Sequence, residues 1–298
     1  ASFRIARRRR YDVIHVHWPI PHALFGRAAQ AGHGAPVVST FYSLELKLGG
    51  GSKLMRRLVS WAVTSPAEVV AISSATADAL RSIAPVRVEV IPYSLPIPAS
   101  PERVRPRGEA FQILFVGRLI ERKGVQVLLQ AVAQLPPGRE VRVLVCGDGP
   151  EREQLERLAE TLGLAGRCTI AGRVSDERLR QEYADADAFV LPAVVDARGD
   201  SEGLGVVLLE AMNSRVPVVA SAVGGITDIV EDEVTGLLVP QGDERALAEA
   251  LERLRRDDAF AQRLGEAGYR RLGTEFSWDA IVPRWLTLYD RVRARSTL

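Results

Sequence analysis

Apolar residues fall along the chain in short runs separated by longer stretches of helical spacing. The runs are 12–18, 36–41, 68–73 and 88–93, then 112–117, 141–147, 168–172, 188–192, 217–221 and 236–240. Each is short and rich in Val, Ile and Leu, which predicts parallel strands covered on both faces. Between them, Val125, Leu128, Leu129, Val132 and Leu135 make one amphipathic stripe, and Leu155, Leu158, Ala159 and Leu162 make another. A repeated strand–helix alternation of this kind predicts an α/β fold with open parallel sheets. A Pro- and Arg-rich, apolar-poor stretch at 96–108 reads as a linker. It divides the chain into a first domain of about four strands, linker included (1–108), and a second domain, from 109 onward, with enough strands for a complete doubly wound sheet. Residues 3–10 read as the end of a helix leading straight into the first strand.

Composition narrows the class. With 298 residues, 47% of them hydrophobic, the chain can bury one large core or two medium ones without disulfides or metals. Cys146 and Cys168 each sit inside an apolar run, which excludes a disulfide scaffold and predicts a reducing, cytoplasmic setting. No apolar stretch approaches a membrane span, and no secretory signal is recognised. The net charge of +2 hides an asymmetry: 15 basic against 7 acidic residues in 1–110, and 24 against 30 in 111–298. A basic first half suits anionic lipid or an anionic acceptor, although a chance bias of surface arginines would look the same. Met55, Leu58, Val59 and Trp61 lie beside Lys53, Arg56 and Arg57 in a segment that could pack on the first sheet or lie on a bilayer. A peripheral place at the inner face of the membrane therefore stays open. The basic run 7–10 reads as a solvated helix end or a further contact with an anionic membrane. Nucleic acid is excluded as a partner, because no basic stripe is interleaved with aromatics and the second half is acidic.

Two constellations carry candidate chemistry. In the first, Glu202-Gly203-Leu204-Gly205 leads through an apolar helix to Glu210. The glycines free backbone amides at a helix N-terminus, a ready site for phosphate. Eight residues of helix would put the two carboxylates about 12 Å apart, too far to share one small reacting centre. They could grip two ends of a long ligand, or they could be a capping Glu and a solvated one. In the second, Phe115-Val116-Gly117-Arg118 is followed by Glu121-Arg122-Lys123-Gly124. A strand delivers Gly117 and Arg118 at its carboxyl end, where open α/β sheets bind ligands. Arg118 and Lys123 together suit a diphosphate, whereas Arg122 reads as an ordinary loop charge. Gly147-Asp148-Gly149-Pro150 reads as a structural strand-to-helix turn. His15 and His17 point the same way from one strand and lack further ligands nearby in sequence, so they read as core or cleft histidines and no metal site is expected.

Gly117-Arg118 with Lys123-Gly124, the Gly147–Pro150 turn, Gly172-Arg173-Val174 and the Glu202…Glu210 pair occur in the order seen in glycosyltransferase family 4, which the chain resembles over 109–275. Segments 11–18, 36–43 and 69–74 resemble the later part of that family's first domain more loosely. The resemblance implies a GT-B fold, two Rossmann-like domains with parallel sheets, the first incomplete here, and a terminal helix at 276–298 crossing back to the first domain. It implies a retaining transferase that moves a sugar from a UDP-, GDP- or ADP-sugar to a hydroxyl of a glycan or glycolipid, such as an envelope polysaccharide. Arg118 and Lys123 would neutralise the diphosphate, Glu202 would hold a sugar hydroxyl, and Glu210 would hold the ribose. Backbone at Gly203, Leu204 and Gly205 would meet sugar and phosphates beside Gly117, and backbone near Val174 would meet the base. The resemblance implies no cofactor and no metal. Tyr42 stands where the family usually has His. The family's opening strand and Gly-rich loop are unmatched, so a fragment lacking on the order of a hundred residues is expected. Two other readings are weaker: a nucleotide-sugar-binding chain without turnover, and a hydrolase. The hydrolase would need carboxyls roughly 5–9.5 Å apart and would leave Arg118 and Lys123 without a role.

Overall fold

All ten apolar runs form strands, and every strand pairing is parallel. The computed structural model describes residues 11–42, 52–94, 99–104 and 110–296. The stretches 3–10 and 7–10 therefore lie outside the described residues. The described residues fall into two compact units, one within Ala1–Ser94 and Ser277–Leu298, the other within Leu95–Phe276.

In the first unit, β1 (Ile14–His17), β2 (Val37–Phe41), β3 (Glu68–Ala71) and β4 (Val88–Val90) form a sheet in sequential order. The connections run through α1 (Pro19–His33), α2 (Lys53–Thr64) and α3 (Ser74–Ile83). Ser52 and Ser73 cap α2 and α3, their hydroxyls accepting the N–H of Met55 and Thr76 at 3.2 Å each. Alternation along the strands divides the core in two. Phe41, Val69 and Ala71 pack with Val59 and Val63 of α2 and Leu80 of α3, while Val38 and Val70 face the opposite side. Packing on the core thus accounts for Val59 and Val63 of the amphipathic segment. Leu54 and Leu58 remain exposed beside Lys53, Arg56 and Arg57. No helix among the described residues is long and apolar enough to cross a membrane.

The second unit begins its sheet with β5 (Phe111–Val116), then a 3-10 turn at Glu121–Lys123 and α4 (Val125–Ala133). It continues with β6 (Val141–Cys146), α5 (Arg152–Thr161), β7 (Cys168–Gly172), α6 (Asp176–Asp185) and β8 (Ala188–Leu191). After these come α7 (Val206–Asn213), β9 (Val218–Ser221), α8 (Ile226–Ile229), β10 (Leu237–Val239), α9 (Glu244–Arg256) and α10 (Asp258–Arg271). The strand order is β10-β9-β8-β5-β6-β7. Winding runs one way from β5 through β7 and the other way from β8 through β10, so β5 and β8 are neighbours at the switch point. Both are buried along their whole length, with Phe111, Phe115 and Phe189 among the largest fully buried side chains.

The stretch read as a linker is partly described, and the described part is bound to the second unit. Arg103 donates to Asp187 Oδ1 at 2.7 Å and to the Ala186 carbonyl at 2.9 Å, and Asp185 accepts the Val104 N–H at 2.8 Å. Asp187 also pairs with Arg139 at 3.1 Å. Its carboxylate is buried, and two arginines neutralise it. A Pro- and Arg-rich composition therefore marks a strap here and not a free tether.

The last helix, α11 (Trp278–Ser296), belongs to the first unit. Ile281, Leu288 and Val292 recur at helical spacing and are buried against Val38, Val70 and Ile91. Each such burial contributes about 1.5–3 kcal/mol at most. Arg295 pairs with the buried Glu68 at 2.6 Å, and Arg291 bonds to Glu89. These ions supply the partner that a buried carboxylate at the start of β3 requires.

Candidate active site

The loops after β5 and β8 leave the sheet at the switch point, on the carboxyl side where open α/β sheets place ligands. Gly124 joins the two. Its φ is +68°, and a Cβ there would lie 1.8 Å from the Pro192 carbonyl oxygen just after β8. Only glycine allows that approach. The contact is reinforced by the Val194 N–H, which donates to the Arg122 carbonyl at 2.9 Å.

This backbone contact carries Lys123 to Glu202. Lys123 Nζ donates to Glu202 Oε2 at 2.5 Å, and both side chains are only 11% exposed. Arg122 Nη1 lies 3.4 Å from the same oxygen and from the Ser201 carbonyl, and its Nε is 3.8 Å from Asp200. Lys123 is thus one half of a buried ion pair. One expectation changes. Arg122 is not an ordinary loop charge but the second cation on Glu202. Glu202 is also held from its backbone: the Gly225 N–H donates to its carbonyl at 3.0 Å, and a Cβ on Gly224 would lie 2.1 Å from that oxygen. The Gly224-Gly225 doublet after β9 was a legible sign of such an approach.

The eight-residue spacing is not a helical rise. Glu202 to Leu204 lie in a loop, Gly205 caps α7 with φ +91°, and the helix starts only at Val206. No side chain caps α7, nor does one cap α4, which follows Gly124. Helices α5 and α8 of this unit also lack a capping side chain, whereas Ser175, Asp243 and Asp257 cap α6, α9 and α10. Of the uncapped N-termini, those of α4 and α7 follow the loops of the switch point, with their first amides not claimed by a capping side chain. Gly203 is half-buried, and Leu204 is buried, anchoring the loop.

Glu210 has a different partner from Glu202. The Tyr183 hydroxyl, from α6, donates to Glu210 Oε2 at 2.7 Å. Burial raises the Glu210 carboxyl above its usual range and Asp176 adds to the rise, while the bond from Tyr183 opposes it. Tyr183 is itself raised well above its ordinary value by burial and by the Glu210 charge. Nothing in the local sequence marks Tyr183 as a partner of a residue 27 positions away.

The remaining residues lie on the same sheet end, where a Cβ on Gly117 would lie 3.8 Å from Lys123 Cδ. Gly117 N–H donates to the Cys146 carbonyl at 3.0 Å and Gly147 N–H to the Gly172 carbonyl at 2.8 Å, which ties the ends of β5, β6 and β7 together. The Gly147–Pro150 turn is thus structural, closed by Leu119 N–H donating to the Asp148 carbonyl at 3.0 Å. Arg118 is exposed, and its side chain has no hydrogen-bond or ion-pair partner among the described residues. Val174 is half-buried in the loop between β7 and α6. Cys146 and Cys168 are free thiols, both pushed up to about 11 by burial.

The first sheet ends differently. His15 Nδ1 meets the Tyr289 hydroxyl and its Nε2 meets Thr40 Oγ1, both at 2.7 Å, while His17 Nδ1 meets the Tyr42 hydroxyl at 2.7 Å. The two rings are 4.0 Å apart. Burial, then the neighbouring His17, lowers His15 to about 3, and burial lowers His17. Trp18 stacks on Tyr42 at 4.8 Å with an interplanar angle of 6°. Among the described residues no group of three His, Cys, Asp or Glu side chains could hold a metal ion.

Sequence families match both units. Residues 97–271 match "Glycosyl transferases group 1" and residues 1–94 match "Glycosyltransferase Family 4". The α-maltose-1-phosphate synthase of Mycobacterium tuberculosis is 34% identical over 322 aligned residues, covering 95% of this chain and 79% of that protein. Among solved structures, the sucrose-phosphate synthase of Thermosynechococcus elongatus superposes with a TM-score of 0.79 at 29% identity, over 96% of this chain and 74% of that one. Anabaena HepE in complex with UDP superposes with a TM-score of 0.84, over 97% and 80% of the two chains. At 23% identity this last likeness speaks for the fold alone.

Proposed function

Since the chain belongs to the group 1 glycosyl transferases and has their GT-B fold, we propose that its second unit binds a nucleotide-diphosphate sugar at the β5/β8 switch point and supports retaining transfer to a hydroxyl of a glycan or glycolipid. The observation that carries this reading is the Lys123–Glu202 pair held beside two uncapped helix N-termini. An ammonium has three donors, and Glu202 takes one. The other two are left for diphosphate oxygens, to which the exposed Arg118 adds a second cation. Glu202 Oε1 has no partner among the described residues and would accept a donor-sugar hydroxyl. Glu210 would accept from the ribose, and the loop at Val174 would meet the base. The amides of Gly203, Leu204 and Gly205 would face sugar and phosphate beside Gly117.

The chemistry follows from where charge develops. The bond between the anomeric carbon and the phosphate oxygen breaks, leaving negative charge on the diphosphate and positive charge on the sugar ring. Arg118 and Lys123 stabilise the leaving group, each worth about 2.7–4 kcal/mol in kcat by analogy with oxyanion-site deletions. The acceptor oxygen forms the new bond on the same face, and its proton passes to the departing phosphate oxygen. Retention from an α-linked donor would give an α-linked product. HepE, crystallised with UDP, makes UDP-sugars the first donors to try, ahead of GDP- and ADP-sugars.

The test is thermal unfolding of the wild type and Glu210→Ala with UDP, GDP, ADP and their glucose conjugates. A ligand at 100 times its Kd adds about 2.7 kcal/mol and a visible rise in Tm. A base-selective rise that the variant loses is expected. No rise with any nucleotide, in a cooperatively folding sample, overturns the donor site. Binding without turnover on any hydroxyl acceptor would keep the donor site and remove the transferase activity of this chain.

A further inference from the structure

We propose that Tyr183 is a positioning residue that aims Glu210 at the donor ribose, so that recognition of the ribose hydroxyls depends on a side chain from α6 as well as on α7. This rests on the donor-site reading above. Tyr183 is 3% exposed, and a buried phenol hydroxyl needs a partner. It has one in Glu210 Oε2 at 2.7 Å, a charge-assisted bond in which the phenol donates. The ring is braced against Phe189 of β8, with centroids 5.6 Å apart and planes at 38°. Phe189 is fully buried in the centre of the sheet, so the hydroxyl is presented from a rigid wall.

Two consequences follow for the carboxylate. Its Oε2 is fixed by Tyr183, which removes the rotation that would let a flexible Glu side chain turn away. Its Oε1 has no partner among the described residues and is the oxygen left to accept from a ribose diol. The same helix that carries Tyr183 is capped by Ser175, next to the Val174 loop proposed to meet the base. Base and ribose recognition are therefore carried by the two ends of one element, α6, with α7 supplying the carboxylate.

The test uses the whole chain and measures Kd by calorimetry for UDP, GDP and ADP, then for the 2′-deoxy and 3′-deoxy forms of whichever binds. Tyr183→Phe is expected to weaken the ribonucleotide about five- to tenfold, less than the loss of a direct bond to a charged group, because Glu210 stays in place and loses only the bond that fixes its Oε2. KM for the donor should rise with it, while kcat changes by less than about twofold. The decisive readout is the deoxy pair: the penalty should shrink toward unity for the form lacking the hydroxyl that Glu210 holds. A penalty equal for all three nucleotides means a merely structural tyrosine and overturns the proposal. Should Tyr183→Phe not melt cooperatively, Glu210→Asp, which keeps the charge but withdraws it from the phenol, must show the same ribose-specific loss. If Glu210→Ala leaves the ribonucleotide Kd unchanged, or no nucleotide binds, the donor reading fails and this proposal with it. If Glu210→Ala weakens binding and Tyr183→Phe does not, only this proposal fails.

Discussion

The two sheets are both parallel and both end in polar chemistry, yet their carboxyl ends are built from opposite materials. In the second unit the strands run out into glycines, an ion pair and helix N-termini without capping side chains. In the first they run out into rings: His17 ends β1 and Trp18 follows it, with Tyr42 after β2 stacked on Trp18. Glycine ends expose amides, and a paired lysine keeps a charge buried but ready, which suits a phosphate-bearing ligand. The histidines of the first sheet are held as neutral acceptors and donors, with His15 lowered to about 3. One sheet end is thus arranged around charge, the other around its avoidance.

Glycine substitutions should break this comparison most severely. Gly124 and Gly34 both have positive φ, but only Gly124 has an atom in the way, whereas nothing lies within 4 Å of a Cβ on Gly34. Gly34→Ala should cost about 1–2 kcal/mol, the strain of the left-handed region alone. Gly124→Ala should cost about 3 kcal/mol or more and abolish nucleotide binding, because Pro192 must move and the Lys123–Glu202 contact moves with it. Urea unfolding of the two variants compares them directly, and equal losses would show that the Pro192 approach is not what glycine is for.

The ion pair comes next. Lys123→Met leaves Glu202 buried with Arg122 alone and should cost about 3 kcal/mol of stability. On the donor reading it should also lower kcat about 10²–10³-fold. Adding Glu202→Gln should restore much of the stability and none of the turnover. If the double variant is no more stable than Lys123→Met, the pair is not what holds these side chains.

A milder effect should come from acid, and from the first sheet. His15 has a folded pKa well below its ordinary 6.5, so the unfolded chain binds the proton more tightly. Its contribution to stability is complete above pH 6.5 and declines as pH falls from there toward 3, at about 1.4 kcal/mol per pH unit. Urea unfolding at pH 7.5 and 5.5 should therefore differ by about that amount, and the difference should shrink in His15→Gln. The smallest change expected is Tyr42→Phe, which loses one exposed bond to His17, worth about 0.5–1 kcal/mol. Nucleotide affinity should be unaffected, and a weakened Kd would show that the two sheet ends are not independent.

Much of this was readable along the chain. Every strand was marked by its own apolar run, most plainly in β2, β5, β8 and β9, which are buried on both faces, whereas β1 and β4 alternate apolar with polar residues. Glu202, Lys123 and Glu210 stood out by the glycines and helices around them. Their partners did not. Arg122 looked like any loop arginine, Tyr183 like one aromatic in a polar helix, and the spacing from Glu202 to Glu210 looked helical when half of it is loop.

By itself, then, the sequence determined the strands, the alternation with helices, and which residue types could meet a charged ligand, since these depend on periodicity within a few turns of chain. The tertiary structure alone decided who pairs with whom. Lys123 and Glu202 are 79 residues apart and meet because β5 lies beside β8. His15 and Tyr289 are 274 apart and meet because α11 belongs to the first unit. Strand order is a property of the whole sheet, set by how all its buried faces pack together, and no local window of residues contains it.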